Sequence, residues 1–202
     1  CSADAGQQLS AVAASVPLQA VHFIDSGDYH YVSRFFLEGI GEPFALLLLD
    51  RHPDMQEPAF GGVLSCGSWV RDALDSLPNL RQVVMAGIDP ALESETEGYG
   101  PGRVLIARGS ELPAPDPSLP VYVSFDKDCL SRDFARTNWD QGTMTLDEAE
   151  TLLRPVLRGR RLLGVDICGE LTEEKGGTTS DMEMNLRTDL HLLSFFAEMT
   201  KN

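Results

Sequence analysis

Two groups of side chains that commonly bind metal ions each follow a short apolar run of the sequence. The groups are Asp50, His52 and Asp54, and farther along the chain Asp126 and Asp128. Within each group the residues are two apart, so in an extended chain their side chains point the same way. Four carboxylates and an imidazole favour Mn(II), with Fe(II), Co(II) or Zn(II) as alternatives. The spacing therefore predicts a divalent-metal site.

Ordinary structural roles are the alternative for each group taken alone. An Asp at the end of a parallel strand often caps the following helix, and Asp126 and Asp128 fit that role. His52 by itself can be a hydrogen-bonded loop histidine. Taken together, however, the carboxylates would repel one another and raise each other's pKa values unless a cation neutralised them. We therefore interpret the five residues as metal ligands.

Short strands that alternate with helices must position these residues. Strands are predicted over residues 20–25, 44–50, 82–89, 103–107, 121–126 and 162–167, and helices over 28–38, 68–77, 146–157 and 185–199. This alternation predicts βαβ units, hence a three-layer α/β/α fold with a mostly parallel, doubly wound sheet. Ligands of such folds bind beyond the carboxyl ends of the strands, which is where both groups lie.

Length and local composition predict how the chain is organised into domains, loops and helices. A sequence of 202 residues predicts one domain over 1–202. Residues 110–120 contain four prolines and are expected to form a surface loop within it. The helix at 146–157 should begin at Thr145, whose hydroxyl can cap the first turn.

The net charge indicates which partners are disfavoured, and the cysteines indicate the redox environment of the protein. The formal charge of -15 disfavours nucleic acid and anionic membranes, and suits a cationic small-molecule substrate or a metal ion as well as ordinary solubility. The four cysteines form no CxxC pair, which favours a reduced, cytoplasmic protein. No signal peptide or membrane-length apolar run is visible. A start at Cys1 is typical of a processed lipoprotein or of a chain without its initiator Met, and we favour the second.

The motifs resemble those of a known family. Asp-x-His-x-Asp at residues 50–54, followed by Ser-Phe-Asp-x-Asp at 124–128, is similar to the ureohydrolase family of arginases and agmatinases. That family shares its fold with histone-deacetylase-like hydrolases. The resemblance extends over roughly residues 24–170. It implies a three-layer α/β/α domain, two Mn(II) ions bridged by a hydroxide, and possible homo-oligomers.

The resemblance also assigns roles to the metal ligands. Asp50 and Asp126 would bridge the two ions, His52 and Asp128 would complete one site, and Asp54 would help to complete the other. The last ligand of that other site is a histidine in the family's Gly-Gly-Asp-His motif. Here the counterpart is Ser-Gly-Asp-Tyr-His at residues 26–30, so His30 is displaced by one residue. Either His30 still reaches the ion, or Asp28 or a water replaces it.

The expected substrate residues depart further from the family pattern. The family's substrate-binding Glu follows a strand that corresponds to residues 162–167, and Glu170 is the candidate, although Gly169 occupies the usual offset. Asp166 lies on the same stretch. Residues 64–69 (LSCGSW) replace a His-Gly segment used for proton transfer, so Cys66 can line the pocket or be a buried structural thiol. Trp139, in the polar segment 137–145, is a second candidate for the pocket wall.

The expected activity is hydrolysis of a C–N bond in a guanidino compound, with the metal-bridging hydroxide as nucleophile. Asp54 or Asp128 would carry a proton to the leaving amine. One alternative is a deacetylase-like amidohydrolase, for which a single metal ion would be diagnostic. The other is a degenerate family member that binds metal without turnover.

Overall fold

The computed structural model describes residues 1–58, 63–109 and 111–200. Its strands are β1 (Val21–Phe23), β2 (Phe44–Leu49), β3 (Leu80–Ala86), β4 (Val104–Ile106), β5 (Val121–Asp126) and β6 (Leu162–Cys168). They form one sheet in the order β1-β6-β5-β2-β3-β4, and every neighbouring pair is parallel. The predicted parallel α/β fold is confirmed.

Helices cover both faces of the sheet. They are α1 (Ala3–Ser15), α2 (Ser33–Glu38), α3 (Trp69–Ser76), α4 (Leu146–Leu157) and α5 (Thr179–Met199). The central strand β2 is buried at every position, because alternate residues serve two different cores. Leu47 packs with α4 and α5 on one face, whereas Leu46 and Leu48 pack with α2 and α3 on the other. This two-sided burial makes the three layers.

The helix boundaries differ from prediction in three places. The expected helix at 28–38 is a 3₁₀ helix, Gly27–Val32, followed by α2. Helix α5 begins at Thr179 rather than 185, since Thr178 and Asp181 form a capping box there. Helix α1 was not expected, and it buries none of its residues, so it has no apolar stripe to reveal it. The capping of α4 by Thr145 occurs as predicted.

Three further features were considered from the sequence: the proline-rich loop, the apolar surface of α5 and membrane-spanning segments. Of the proline-rich loop 110–120, residue 110 lies outside the described residues, and the rest contains no helix or extended strand. On α5, Leu190 is 57% exposed and Leu193 39% exposed; self-association through this helix stays a prediction. None of the helices in the described ranges is long and apolar enough to cross a membrane.

The strand order identifies where a ligand should bind. From β2 the chain adds β3 and β4 on one side, then returns to place β5 and β6 on the other. The direction of winding therefore changes between β2 and β5, and at such a switch point a crevice opens beyond the carboxyl ends of the strands. Asp50 follows β2 directly and Asp126 ends β5, so the two predicted ligand groups flank this crevice.

Candidate metal centre

The loop after β2 turns sharply, and this turn gathers its three ligand-type side chains. The Asp50 carboxylate accepts the backbone N–H of His52 at 2.7 Å, which makes a local turn. Asp54 has a φ of +52°, the one left-handed backbone among the described non-glycine residues. The extended backbone expected for residues 50–54 is therefore wrong, although the side chains do converge. Strain of this kind persists where surrounding contacts hold it.

Contacts with α3 hold Asp54 in this conformation. Its backbone carbonyl accepts the N–H of Val70 at 3.0 Å. Its carboxylate Oδ2 accepts the indole Nε1–H of Trp69 at 2.6 Å, and Trp69 is fully buried. The start of α3 thus fixes both the backbone and the side chain of Asp54.

The loop after β5 is locked to the loop after β2. Asp126 Oδ1 accepts the backbone N–H of Asp128 at 2.9 Å. Asp128 Oδ1 in turn accepts the backbone N–H of Arg51 at 2.9 Å, and its Oδ2 lies 2.9 Å from His52 Nδ1. Each aspartate therefore keeps one oxygen for positioning while the other faces the crevice.

His30 reaches the crevice despite its displacement in the sequence. The 3₁₀ helix Gly27–Val32 turns the ring inward, where it is 1% exposed. Its Nδ1 lies 3.1 Å from Asp50, 3.0 Å from Asp54 and 3.5 Å from Asp126. Asp28, the alternative, faces away and accepts hydrogen bonds from Asn138 and Trp139.

These six residues define what we call the ligand cluster: His30, Asp50, His52, Asp54, Asp126 and Asp128. Together with Cys168, its atoms fall into three groups compact enough to hold an ion. The groups are His30 with Asp50 and Asp54, Asp50 with His52 and Asp128, and His30 with Asp126 and Cys168. Asp50 belongs to two of them, because its two oxygens face the two histidines. The geometry thus offers two neighbouring metal positions with Asp50 between them.

Burial makes the cluster electrostatically costly without a cation. Burial, and next the charge of Asp128, raise the pKa of Asp126 to about 6. Burial and then the charge of Asp50 raise the pKa of Asp128 to about 7. For His52 burial acts downward, but Asp128 and Asp50 outweigh it and raise the pKa to about 12. The carboxyl pKa values rise because burial and neighbouring negative charges disfavour the ionised form, and the imidazole pKa rises because the adjacent carboxylates favour its cation.

A divalent cation fits this environment. Asp50 Oδ2 is buried and receives no well-aligned hydrogen bond in the described part of the chain, although His30 Nδ1 lies 3.1 Å away. An unsatisfied buried carboxylate oxygen is expensive unless a charge compensates it. Oxygen and imidazole donors at these separations suit Mn(II) and its first-row neighbours.

A cavity of about 250 Å³ opens onto the ligand cluster. All six cluster residues line it, together with Gly27, Gln56, Ser65, Cys66, Gly67 and Trp139. Both Cys66 and Trp139 thus stand where the sequence proposed them. A larger cavity of about 570 Å³ lies beyond β3 and β4, but among its described lining residues there is no member of the ligand cluster. The smaller cavity is therefore the candidate site.

Glu170 is not among the described residues that line this cavity. Its carboxylate accepts hydrogen bonds from Lys127 Nζ and from Asn185 Nδ2, the latter at 2.8 Å. A substrate-binding role for Glu170 stays a prediction, and these contacts do not support it. Asp166 is likewise not among the described lining residues, and it is buried with hydrogen bonds from Ser33 and Ser124.

Gly169 occupies the position at which the family carries its substrate-binding Glu, and the local geometry explains why no larger residue stands there. Its φ is +96°, in the region that favours glycine. A Cβ there would lie 2.5 Å from Asp126 Oδ1, far inside contact distance. The approach of β6 to the Asp126 carboxylate therefore excludes a side chain at this position.

Sequence reasoning missed three residues that form hydrogen bonds with the candidate ligands. Trp69 binds Asp54, and Ser124 Oγ lies 2.9 Å from His30 Nε2. Cys168 donates its thiol hydrogen to Asp126 Oδ2 at 3.1 Å. Ser124 sits in the quoted Ser-Phe-Asp motif, two residues before Asp126, and that spacing was the available signal. Trp69 and Cys168 become visible only when distant elements pack.

Comparison with known proteins agrees with this geometry. Residues 21–173 match the model of the arginase family. An uncharacterised protein of Thermotoga maritima is 36% identical over 156 residues, which cover 74% of this chain and 58% of that protein. The chain therefore spans less than two thirds of the length of this relative.

Solved structures show the same fold at low sequence identity. Proclavaminate amidino hydrolase from Streptomyces clavuligerus superposes with a TM-score of 0.71 at 17% identity, covering 98% of this chain and 70% of that one. Agmatine ureohydrolase of Thermoplasma volcanium gives 0.71 at 16% identity, covering 96% and 68%. At these identities the likeness concerns the fold alone.

Proposed function

Because the chain belongs to the arginase family, we propose that it hydrolyses a C–N bond of a guanidino compound with two divalent ions, Mn(II) in the first instance. The observation that carries the proposal is the convergence of four buried carboxylates and two histidines on one cavity. Within the described residues, no lysine or arginine forms an ion pair with these carboxylates. The cluster is therefore built for cations that the chain does not itself supply.

The two halves of the ligand cluster would each hold one ion. His30 and Asp54 belong to one half, and His52 and Asp128 to the other. Asp50 would serve both ions with its two oxygens, and Asp126, as in the family pattern, would be the second shared ligand. When bound, two such ions lower the pKa of a shared water enough to supply hydroxide at neutral pH.

The chain's own residues would bind and orient a cationic substrate. The cavity of about 250 Å³ admits a small molecule, and its carboxylates attract a guanidinium group. Trp139 is 41% exposed at the cavity and offers a flat aromatic face to that planar cation. Asp54 or Asp128 would carry a proton to the leaving amine. The products of such a reaction are urea and an amine.

A metal-binding protein without turnover is the second candidate. Cys66 occupies the cavity wall where the family keeps the histidine for proton transfer, and Glu170 is engaged by Lys127. Both departures remove groups on which family members rely. A deacetylase-like hydrolase would differ from both candidates by holding a single ion.

Metal content and product release together test the proposal. The metal-free protein is reconstituted with Mn(II), analysed for metal per chain, and screened for urea release from a panel of guanidino compounds that includes agmatine and arginine. About two ions per chain with urea release supports the proposal, as expected for a two-metal site. Two ions without turnover on the panel supports the binding-only candidate. One ion supports the deacetylase-like alternative, and no bound metal overturns all three.

A further inference from the structure

Cys168 is brought to the ligand cluster by the register of the sheet. It is the last residue of β6, and the parallel pairing of β5 with β6 sets it opposite Asp126. Side chains of paired residues project from the same face of a sheet, so the thiol lies beside the carboxylate. The thiol is fully buried, and its sulfur is 3.1 Å from Asp126 Oδ2.

The sulfur is close enough to share an ion with its neighbours. Ligand atoms of His30, Asp126 and Cys168 all lie within 4.8 Å of one another. Bonds of about 2.1 Å to oxygen or nitrogen and about 2.3 Å to sulfur place two ligands of one ion roughly 3 to 4 Å apart. The sulfur–oxygen distance of 3.1 Å falls within that interval.

A separate observation points to a cation beside the same histidine. Asp50 Oδ2 is buried without a well-aligned hydrogen bond from the described residues, and it lies 3.1 Å from the Nδ1 of the same His30. An unsatisfied anionic oxygen thus faces the histidine that Cys168 also approaches. The His30 half of the cluster therefore contains a buried carboxylate oxygen that a cation would satisfy.

We propose that Cys168 is a thiolate ligand of the ion held by His30, an inference that rests on the proposed metal-dependent function. As the sulfur–metal bond forms, the thiol proton leaves to solvent. A sulfur donor selects thiophilic ions such as Co(II), Zn(II) or Fe(II) over Mn(II). The half formed by Asp50, His52 and Asp128 has only oxygen and nitrogen donors among these residues, so the two halves prefer different metals.

Cobalt is the probe that reports a thiolate ligand directly. Co(II) bound to thiolate gives an intense near-ultraviolet charge-transfer band that oxygen and nitrogen ligands do not give. The metal-free full-length protein is titrated with Co(II), and the wild type should develop this band. Cys168→Ser should lack it, and its preference for Zn(II) over Mn(II) in competition should fall by at least about tenfold. Cys66→Ser, which alters the thiol that lines the cavity, should keep the band.

The outcomes separate this inference from the proposed function. Two bound Co(II) ions without a charge-transfer band overturn the thiolate assignment and leave the binuclear site standing. A band that persists in Cys168→Ser but disappears in Cys66→Ser overturns it as well. Failure to bind any Co(II) overturns the proposed function together with the inference.

X-ray absorption of the wild type covers the case in which Cys168→Ser does not fold. With Zn(II) bound, the inference requires a sulfur neighbour at about 2.3 Å from the metal. A first shell that contains only oxygen and nitrogen overturns it.

Discussion

Two buried charged clusters lie on either side of the tripeptide Asp126-Lys127-Asp128. On one side Lys127, 1% exposed, forms ion pairs with Glu170 and with Asp189, the latter at 2.7 Å; we call these three residues the lysine cluster. On the other side Asp126 and Asp128 face the ligand cluster, where no Lys or Arg of the described residues enters. The chain supplies the cation for one cluster, and in our proposal ions from solution occupy the other.

This contrast separates a structural ion-pair network from a binding site. A buried charge persists when it is paired and hydrogen-bonded, as Lys127 is by Glu170 and Asp189. The ligand cluster instead has no Lys or Arg ion-pair partner among the described residues, and a buried Asp50 oxygen beside the cavity is left unsatisfied. Raised carboxylate pKa values occur in both clusters, since burial also raises the pKa of Asp189 to about 6, so the missing cation is what distinguishes the ligand cluster.

The largest effect is expected from removing one bridging charge. Asp126→Asn should abolish binding of both ions, from about two per chain to none, because each half of the site depends on this carboxylate. Elemental analysis after Mn(II) reconstitution measures the change. The matched control is Asp133→Asn, an exposed residue in the following loop, which should retain full metal content. Full metal content in Asp126→Asn would refute the bridging assignment.

Lys127→Met tests the lysine cluster. It leaves two carboxylates without their buried cation, and the expected loss in free energy of unfolding is about 3 to 5 kcal/mol. Denaturant unfolding measures the loss. Arg161→Met breaks an exposed pair with Glu42 and should lower the free energy of unfolding far less than Lys127→Met does. At saturating Mn(II) the Lys127 variant should still bind metal, and a selective loss of metal from a stable variant would mean that the two clusters are not separate.

The pH dependence of stability should reverse when metal is added. Asp126 and Asp128 titrate at about 6 and 7 in the folded protein instead of 3.8, so the metal-free fold holds protons that the unfolded chain releases. Stability therefore falls as pH rises from about 4 through 7. The pKa of His52, which its carboxylate neighbours raise from 6.5 to about 12, makes stability continue to fall as the pH rises above 6.5. Bound metal requires deprotonated ligands, so its stabilisation grows with pH.

Thermal unfolding at pH 5 and pH 8 checks this reversal. With EDTA the protein should be less stable at pH 8, and the difference should shrink in the double variant Asp126→Asn, Asp128→Asn. With saturating Mn(II) the stabilisation by metal should be greater at pH 8 than at pH 5. A metal-free protein that is more stable at pH 8 than at pH 5 would contradict the assigned shifts.

The smallest effect is expected from a residue that only positions a ligand. Trp69→Phe keeps the aromatic ring but loses the N–H that binds Asp54, so metal affinity should fall about 10- to 100-fold. Calorimetric titration measures the affinity. Trp139→Phe is the matched control, because that indole donates to Asp28 and not to a ligand. Equal losses in both variants would show that the Trp69 hydrogen bond has no special role.

The sequence by itself determined the class of fold and indicated the candidate metal ligands. Residues 44–49 are apolar at every position, which is typical of a strand buried on both faces, and they pair on both sides in the structure. The closeness of Asp50 and Asp126 follows from this, because they stand at strand ends that a parallel sheet must bring together. The spacing within residues 50–54 and within 126–128 was enough to identify these candidates, because each group lies in one short stretch of the chain.

Only the tertiary structure decided the surroundings of those ligands. His30 is displaced by one residue in the motif, and the 3₁₀ helix brings its ring beside the Asp54 carboxylate. Glu170 lies near the expected position, but Lys127 and Asn185 engage it outside the cavity. Cys168 approaches Asp126 through strand register, and Trp69 approaches Asp54 through helix packing. These contacts join residues far apart in the chain, and no local pattern encodes distances that depend on how whole elements pack.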